Sequence, residues 1–149
     1  IAHCPTSNRF LLSGIMPFRK YQKMGLKIGL GTDVAGGYSL SMFNEMKEAI
    51  ENSKYLHLFS NGKSGQPMTI EEAFYLATLG GAQAISMENK IGTLEKNKKA
   101  DFLIIDYKKI DPMGEKSVYI APSQILSKLI YRGDKSAIKH VYIDGKKIK

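Results

Sequence analysis

The chain has 149 residues, of which 43% are hydrophobic and 24% charged, and a chain of this length and composition can bury a core. No apolar run approaches the roughly 20 residues that a membrane-spanning helix needs. Its single cysteine, Cys4, excludes an internal disulfide framework and is typical of a reducing compartment such as the cytoplasm. The net charge is +8, and residues 90–149 carry 14 lysines and arginines against 7 acidic residues. These lysines stand singly or in pairs, without the aromatic residues that stack on bases. We therefore expect a solvated basic surface and no nucleic-acid or membrane partner.

The beginning of the chain predicts one repeat of strand, helix and strand. Residues 1–4 read as the end of a strand and 4–8 as a loop, because Pro, Ser and Asn favour turns. Residues 17–25 predict a short helix that begins at a proline and stops at a glycine. A strand over 26–31 follows, and two strands joined through a crossover helix pair in parallel. Because the first residue is not Met and already reads as strand, we expect the C-terminal part of a longer protein.

A long helix is predicted next, over about 39–59. Its apolar side chains recur at helical spacing, and we expect them to face a core: Leu40, Phe43, Met46, Ala49 and Ile50. Charged residues fill the positions between them, which is typical of a helix with one solvated face.

A second helical segment follows a loop at 60–67. Thr69 and Glu72 have the spacing of a capping box, which predicts the start of a helix. We expect this helix to stop at Gly80 and Gly81 because glycine favours helix ends.

The hydrophobic period changes near residue 90. Residues 100–107 are apolar and β-branched, which predicts a strand, and 123–133 predict a helix that stops at Gly133. Residues 140–149 predict a hairpin around an Asp-Gly turn. We therefore expect an α/β part over 1–89 and a small β-rich part over 90–149.

Asp33 is the first candidate for chemistry. It ends the apolar run that begins at Ile28, and Gly36 and Gly37 follow it. One interpretation is a strand that ends in a turn, because Asp and Gly both favour turns. The other is a functional carboxylate at the C-terminal end of a parallel strand, where α/β barrels keep their chemistry and where a carboxylate can bind a divalent metal or act as a general base. The glycines would then let a ligand approach the backbone closely.

The remaining candidates are two histidines, an asparagine and the cysteine. His3 reads as a hydrogen-bonded core or rim histidine, and His57 as a packing or surface residue of the long helix. Cys4 reads as a small buried apolar residue, and a Cys4–His3 nucleophile pair is disfavoured because neighbouring strand residues point to opposite faces. Asn8 either lines a pocket or makes a turn. His3, Cys4 and Asp33 lack the short spacings of a self-contained zinc site.

Two segments carry a family resemblance: "AHCPTSNRFLLSG" and "KIGLGTDVAGGYSLSMFNEMKEA". With "EAFYLATLGGAQAI", "IGTLEKNKKADFLIID" and "VYIDGKKI" they cover nearly the whole chain. Together they resemble the amidohydrolase superfamily, most closely its guanine-deaminating branch. The resemblance implies the C-terminal part of a (β/α)8 TIM-like barrel over 1–89 and part of a small β-sandwich, assembled from both chain ends, over 90–149.

The resemblance also implies a site. Asp33 is then the metal-ligating carboxylate that activates water beside Zn or Fe, one divalent metal ion, and both Asp33 and Asn8 are candidates for contacts with a purine substrate. The His-x-His pair, two further histidines and the glutamate typical of the superfamily are absent from this chain. His3 matches a position that is not a metal ligand there. We therefore expect this chain alone to be inactive and to bind no catalytic metal tightly.

The function implied by the resemblance is the metal-dependent hydrolysis of guanine to xanthine and ammonia. Two alternatives stay open. One is another amidohydrolase of the adenosine, cytosine or chlorotriazine type, and the other is a non-catalytic binding protein of the same fold. The resemblance leaves a homodimer open as well.

Overall fold

The computed structural model describes residues 1–111 and 121–149. Within these residues the chain has seven helices and five strands, and the strands form two separate sheets. None of the helices in this part combines the length and the hydropathy that spanning a bilayer would take.

The first sheet contains two short strands joined through two helices. Strand β1 (Ala2–His3) leads into helix α1 (Pro5–Phe10), and helix α2 (Phe18–Lys23) precedes strand β2 (Gly29–Leu30). The strands are parallel, as the strand–helix–strand pattern predicts, and Ala2 lies opposite Gly29. Their carboxyl ends therefore meet at one edge, and the segments after both strands lie close together.

One prediction for this region is wrong, and another gives a strand that is too long. Residues 4–8 are not a loop, because Pro5 occupies the first position of α1, where its missing N–H costs nothing. Of the predicted strand over 26–31, only Gly29–Leu30 is strand, and these two residues pair with β1.

Helix α3 (Met42–Phe59) follows the loop after β2. The hydroxyl of Ser41 accepts a hydrogen bond from the Asn44 N–H at 3.4 Å and caps its first turn. Met46 and Ile50 are buried, as their spacing predicts. Leu40 was expected on the same buried face, but it precedes the helix and is 78% exposed. The cap starts the helix too late for Leu40 to join that face.

Helices α4 (Ile70–Ala77) and α5 (Leu79–Ala84) follow. The capping box of Thr69 and Glu72 is present, with both of its hydrogen bonds made. The expected stop at Gly80 and Gly81 is wrong, because both glycines lie inside α5.

The glycines of α5 serve close packing instead. A Cβ at Gly29 of β2 would lie 2.6 Å from the Cα of Gly81, and a Cβ at Gly80 would lie 2.9 Å from the carbonyl oxygen of Ile28. The strand and the helix therefore touch backbone to backbone, and only residues without side chains fit between them.

The second sheet is antiparallel and is built from strands β3 (Phe102–Ile105), β4 (Ile138–Ile143) and β5 (Lys146–Lys147). Asp144 and Gly145 form the predicted two-residue turn between the last two strands, and both have positive φ angles, of 51° and 75°. The rings of Phe102 and Tyr142 stack across the sheet with centroids 4.5 Å apart. Helix α6 (Tyr107–Ile110) follows β3, and helix α7 (Pro122–Arg132) precedes β4 and ends at Gly133 as predicted.

The core lies between the first sheet and helices α2, α3, α4 and α7. Its buried members come from these four helices and from the segments just before β2 and α4: Phe18, Ile28, Met46, Ala49, Ile50, Met68, Ala73, Leu76 and Ile130. Helix α7 therefore packs on the α/β part, although it follows residue 90 in sequence. This arrangement leaves the edge at the carboxyl ends of β1 and β2 free to carry a site.

Candidate active site

Asp33 lies at the edge where the two parallel strands end. It follows Leu30, the last residue of β2, after two further residues, and its side chain is exposed. Its φ angle is 47°, in the left-handed region, which Asp tolerates better than most residues. Ligands of α/β proteins bind beyond the carboxyl ends of parallel strands, so this is the edge at which chemistry is expected.

Ser7 of α1 holds this carboxylate. Its hydroxyl donates a hydrogen bond of 2.6 Å to Oδ2 of Asp33, and Ser7 itself is only 3% exposed. Within the described residues, no hydrogen bond reaches Oδ1 of Asp33. The sequence interpretation missed Ser7, although the parallel pairing that it predicted brings the segment after β1 next to the segment after β2.

Gly36 packs on this pair. A Cβ at Gly36 would lie 2.7 Å from Oδ2 of Asp33 and 3.0 Å from the hydroxyl oxygen of Ser7. A Cβ at Gly37 would collide with the carbonyl oxygen of Thr32. The loop therefore folds back so closely over the carboxylate that a side chain at either glycine would clash. That the glycines also let a ligand approach the backbone stays a prediction.

A buried carboxylate fixes the first turn of α1. Glu45 of α3 is fully buried and accepts hydrogen bonds from the backbone N–H of Thr6 at 3.1 Å and from its hydroxyl at 2.5 Å. The Asn44 amide also donates to the Thr6 hydroxyl, at 3.3 Å. In sequence Glu45 reads only as a polar residue between core positions. Its role depends on α1 packing against α3.

Aromatic and charged side chains close the rim of the site. Arg9 forms an ion pair of 2.5 Å with Glu48 and donates a hydrogen bond of 3.4 Å to the hydroxyl of Tyr38. The rings of Phe10 and Tyr38 meet edge to face with centroids 6.0 Å apart. These contacts join the loop after Asp33 to the end of α1.

His3 and Asn8 lie in a neighbouring cavity. Both line it together with Ser13 and Tyr21, and Asp33 is not among the lining residues. His3 is 4% exposed, and its Nδ1 atom is buried without a hydrogen-bond partner among the described residues. Burial lowers the pKa of His3 to about 4, so its imidazole is neutral at neutral pH. The structure therefore brings Ser7 rather than Asn8 to Asp33.

The buried imidazole predicts a loss of stability in mild acid. The unfolded chain has a His pKa of about 6.5 and binds the proton more tightly than the folded chain. The contribution of His3 is complete above pH 6.5 and is lost as the pH falls towards 4. We expect the free energy of unfolding to fall by up to about 3 kcal/mol across this window, relative to a His3→Gln variant. Urea unfolding of both proteins at several pH values measures the difference, and parallel pH profiles would contradict it.

The thiol of Cys4 has no feature of a nucleophile. Cys4 is partly buried, and its Sγ lies near the backbone of Gly31. Burial raises the pKa of the thiol, and the carboxylates of Asp33 and Glu45 raise it further. A neutral thiol reacts poorly with electrophiles and with metals, so the Cys4–His3 nucleophile pair has no support in the structure.

Asp33 is the residue that could contribute to a metal site here. In the part of the chain that the structure describes, no three or more His, Cys, Asp or Glu side chains come together as a ligand group. A zinc site in proteins takes three or four such ligands. The exposed carboxylate of Asp33, with one oxygen held by Ser7, fits the role of a single ligand within a larger set.

Comparison with known proteins identifies relatives of the whole chain. The model of the amidohydrolase family matches residues 1–148. Guanine deaminase from Mus musculus is 40% identical over 152 residues, which is 99% of this chain and 33% of that protein. The chain thus spans about one third of the length of the curated relatives that it matches.

Solved structures agree with this relationship. A guanine deaminase from C. acetobutylicum with guanine bound in its active site has a TM-score of 0.85 and 36% sequence identity, over 100% of this chain and 33% of that one. An adenosine deaminase from Xanthomonas campestris with bound zinc has a TM-score of 0.78 and 29% identity, over 98% of this chain and 31% of that one.

Proposed function

This chain belongs to the amidohydrolase family, and from that membership we propose that the protein containing it hydrolyses guanine to xanthine and ammonia. The sequence similarity to guanine deaminases over the whole chain and the fold of the guanine-bound neighbour support this substrate. The structural observation that carries the proposal is Asp33, an exposed carboxylate at the carboxyl end of β2, oriented by a buried hydroxyl.

Asp33 would contribute one ligand to a divalent metal. Carboxylate oxygen binds zinc and iron, and the zinc-containing neighbour of this fold supports such an ion. Oδ1 is the oxygen left for this role, because Oδ2 accepts the hydrogen bond from Ser7. The other ligands would come from the part of the protein beyond this chain. When bound, such an ion lowers the pKa of a water to about 7.

Asp33 would also move the proton of the reaction. The attacking water would form a bond from its oxygen to the ring carbon that carries the amino group. The double bond from this carbon to the neighbouring ring nitrogen would become single, and that nitrogen would gain one of the two protons of the water, while Asp33 would take the other. The carbon–nitrogen bond to the amino group then breaks, and the proton passes to the leaving amine, which departs as ammonia. A carboxylate base in the base deaminases has the same task, although their fold is unrelated.

The barrel and the sandwich are part of the same proposal. We place β1 and β2 as the seventh and eighth strands of a (β/α)8 barrel and β3, β4 and β5 in a β-sandwich, with the division near residue 90. The separation of the two sheets supports the division. Ile130 of α7 and Met46 of α3 belong to the same hydrophobic core, so α7 packs with the barrel side.

Steady-state assays of the full-length protein test the reaction. The zinc-loaded protein is given guanine, adenosine, cytosine or a chlorotriazine, and product is separated and measured. We expect kcat/KM for guanine to exceed the value for each other compound by at least about a hundredfold, because a site built to hydrogen-bond one base rejects the others strongly.

The same assays decide the alternatives. The adenosine deaminase neighbour favours an adenosine-type substrate as the second candidate, and preferential turnover of adenosine would replace guanine with it. Tight binding of guanine without turnover would instead favour a non-catalytic binding protein.

A further inference from the structure

We propose that Ser7 is a positioning residue for Asp33, which leaves Oδ1 of that carboxylate free for the metal and for the proton transfer. This inference rests on the proposed metal-dependent function. It assigns different roles to the two oxygens of one side chain, so that Oδ2 orients the carboxylate and Oδ1 performs the chemistry.

The contact between Ser7 and Asp33 is selective. A serine hydroxyl has one proton to donate, and here it is directed to Oδ2 at 2.6 Å, a distance typical of a charge-assisted bond. Gly36 packs close to Oδ2, because a Cβ at Gly36 would lie 2.7 Å from that oxygen. The carboxylate is therefore held on one side by a donor and by backbone, while the side chain as a whole remains exposed to the open edge.

Hydrogen bonds from α3 fix the position of Ser7. Glu45 binds the N–H and the hydroxyl of Thr6, and the amide of Asn52 donates to the carbonyl oxygen of Pro5 at 3.3 Å. Glu45 and Asn52 both belong to α3, the helix that follows the Asp33 loop. Helix α3 thus holds the two residues before Ser7, and the Ser7 hydroxyl needs no rearrangement to meet the carboxylate.

Removal of the Ser7–Asp33 hydrogen bond has different effects if the bond only stabilises the fold and if it positions the carboxylate. If the bond only joined α1 to the loop, its loss would lower the unfolding midpoint and leave metal affinity and kcat unchanged. If it orients the carboxylate, its loss allows Oδ1 to leave its productive direction. Zinc affinity and kcat then fall, while KM changes little because the hydroxyl does not touch the substrate.

Substitutions in the full-length protein separate these cases. Ser7→Ala removes one oxygen from a buried site, Ser7→Thr keeps the hydroxyl, and Ser123→Ala removes an exposed hydroxyl on α7 as the matched control. Zinc affinity is measured by competition with a chromophoric chelator, kcat and KM with guanine, and stability by urea unfolding.

We expect Ser7→Ala to lose about 10- to 100-fold in zinc affinity or kcat, which is typical when the partner of a metal ligand is removed, with KM within about threefold. Ser7→Thr should retain at least about a third of the wild-type values, and Ser123→Ala should match wild type. Wild-type zinc affinity and kcat in Ser7→Ala would overturn the inference. If wild type binds zinc without converting guanine, the proposed substrate fails but zinc affinity still decides the role of Ser7. If wild type binds no zinc, both fail.

Discussion

Replacing Asp33 with Asn is expected to lower kcat on guanine by at least about a hundredfold while the protein stays folded. The substitution keeps the shape of the side chain, and its amide oxygen can still accept the hydrogen bond from Ser7. The amide nitrogen then takes the place of Oδ1, where it can neither bind a metal nor take a proton. General-base assistance is worth about 100- to 10,000-fold by itself, and weaker metal binding adds to the loss.

The measurement is xanthine formation by the full-length protein, with its zinc content determined alongside. Glu71→Gln is the matched control, because Glu71 is an exposed carboxylate on α4 and loses the same charge. His3→Gln should change kcat much less, because His3 faces a separate cavity. An Asp33→Asn protein that keeps its metal and a near-normal kcat would remove the basis of the proposed function.

Replacing Gly29 with Ala is expected to destabilise the protein by about 3 kcal/mol or more. The new Cβ would lie 2.6 Å from the Cα of Gly81 and 3.3 Å from its backbone nitrogen. Backbone atoms cannot rotate away as a flexible side chain can, so β2 and α5 must move apart. Their separation would loosen the packing around Ile28, which lies next to Gly29 and belongs to the core.

Urea unfolding of the full-length protein measures this effect. The slope of about 1–3 kcal/mol/M of small proteins increases with size, so for the full-length protein we expect the midpoint to fall by roughly 0.5–1 M. Gly31→Ala, directly after β2, is the matched control, because its Cβ would lie 3.2 Å from the Sγ of Cys4, and a side chain can shift. Equal midpoints for the two variants would show that the backbone contact between Gly29 and Gly81 does not limit stability.

The sequence alone determined those helices and turns that depend on interactions between residues close together in the chain. The capping box of Thr69 and Glu72 starts α4, and the Asp144–Gly145 turn forms the last hairpin, because both signals act between neighbours in sequence. The apolar spacing of Met46 and Ile50 identified the buried face of α3 for the same reason. Parallel pairing of β1 and β2 followed from the order of strand, helix and strand.

Contacts between distant segments decided what the local patterns mispredicted. Gly80 and Gly81 read as a helix stop, yet they lie within α5 because β2 passes against them, and no local signal records that approach. Residues 4–8 read as a loop, yet α1 begins at Pro5, and α3 supplies a buried carboxylate to its first turn.

The residues of the candidate site also differ in whether the sequence alone could identify them. Asp33 could be named from the sequence, because an apolar run that ends in a carboxylate and glycines is visible along the chain. Ser7 and Glu45 could not, because Ser7 lies 26 positions from Asp33 and Glu45 lies 39 positions from Thr6. A serine that orients a carboxylate and a serine in a turn look alike in sequence. Only the packing of α1 between the Asp33 loop and α3 gives each hydroxyl its partner.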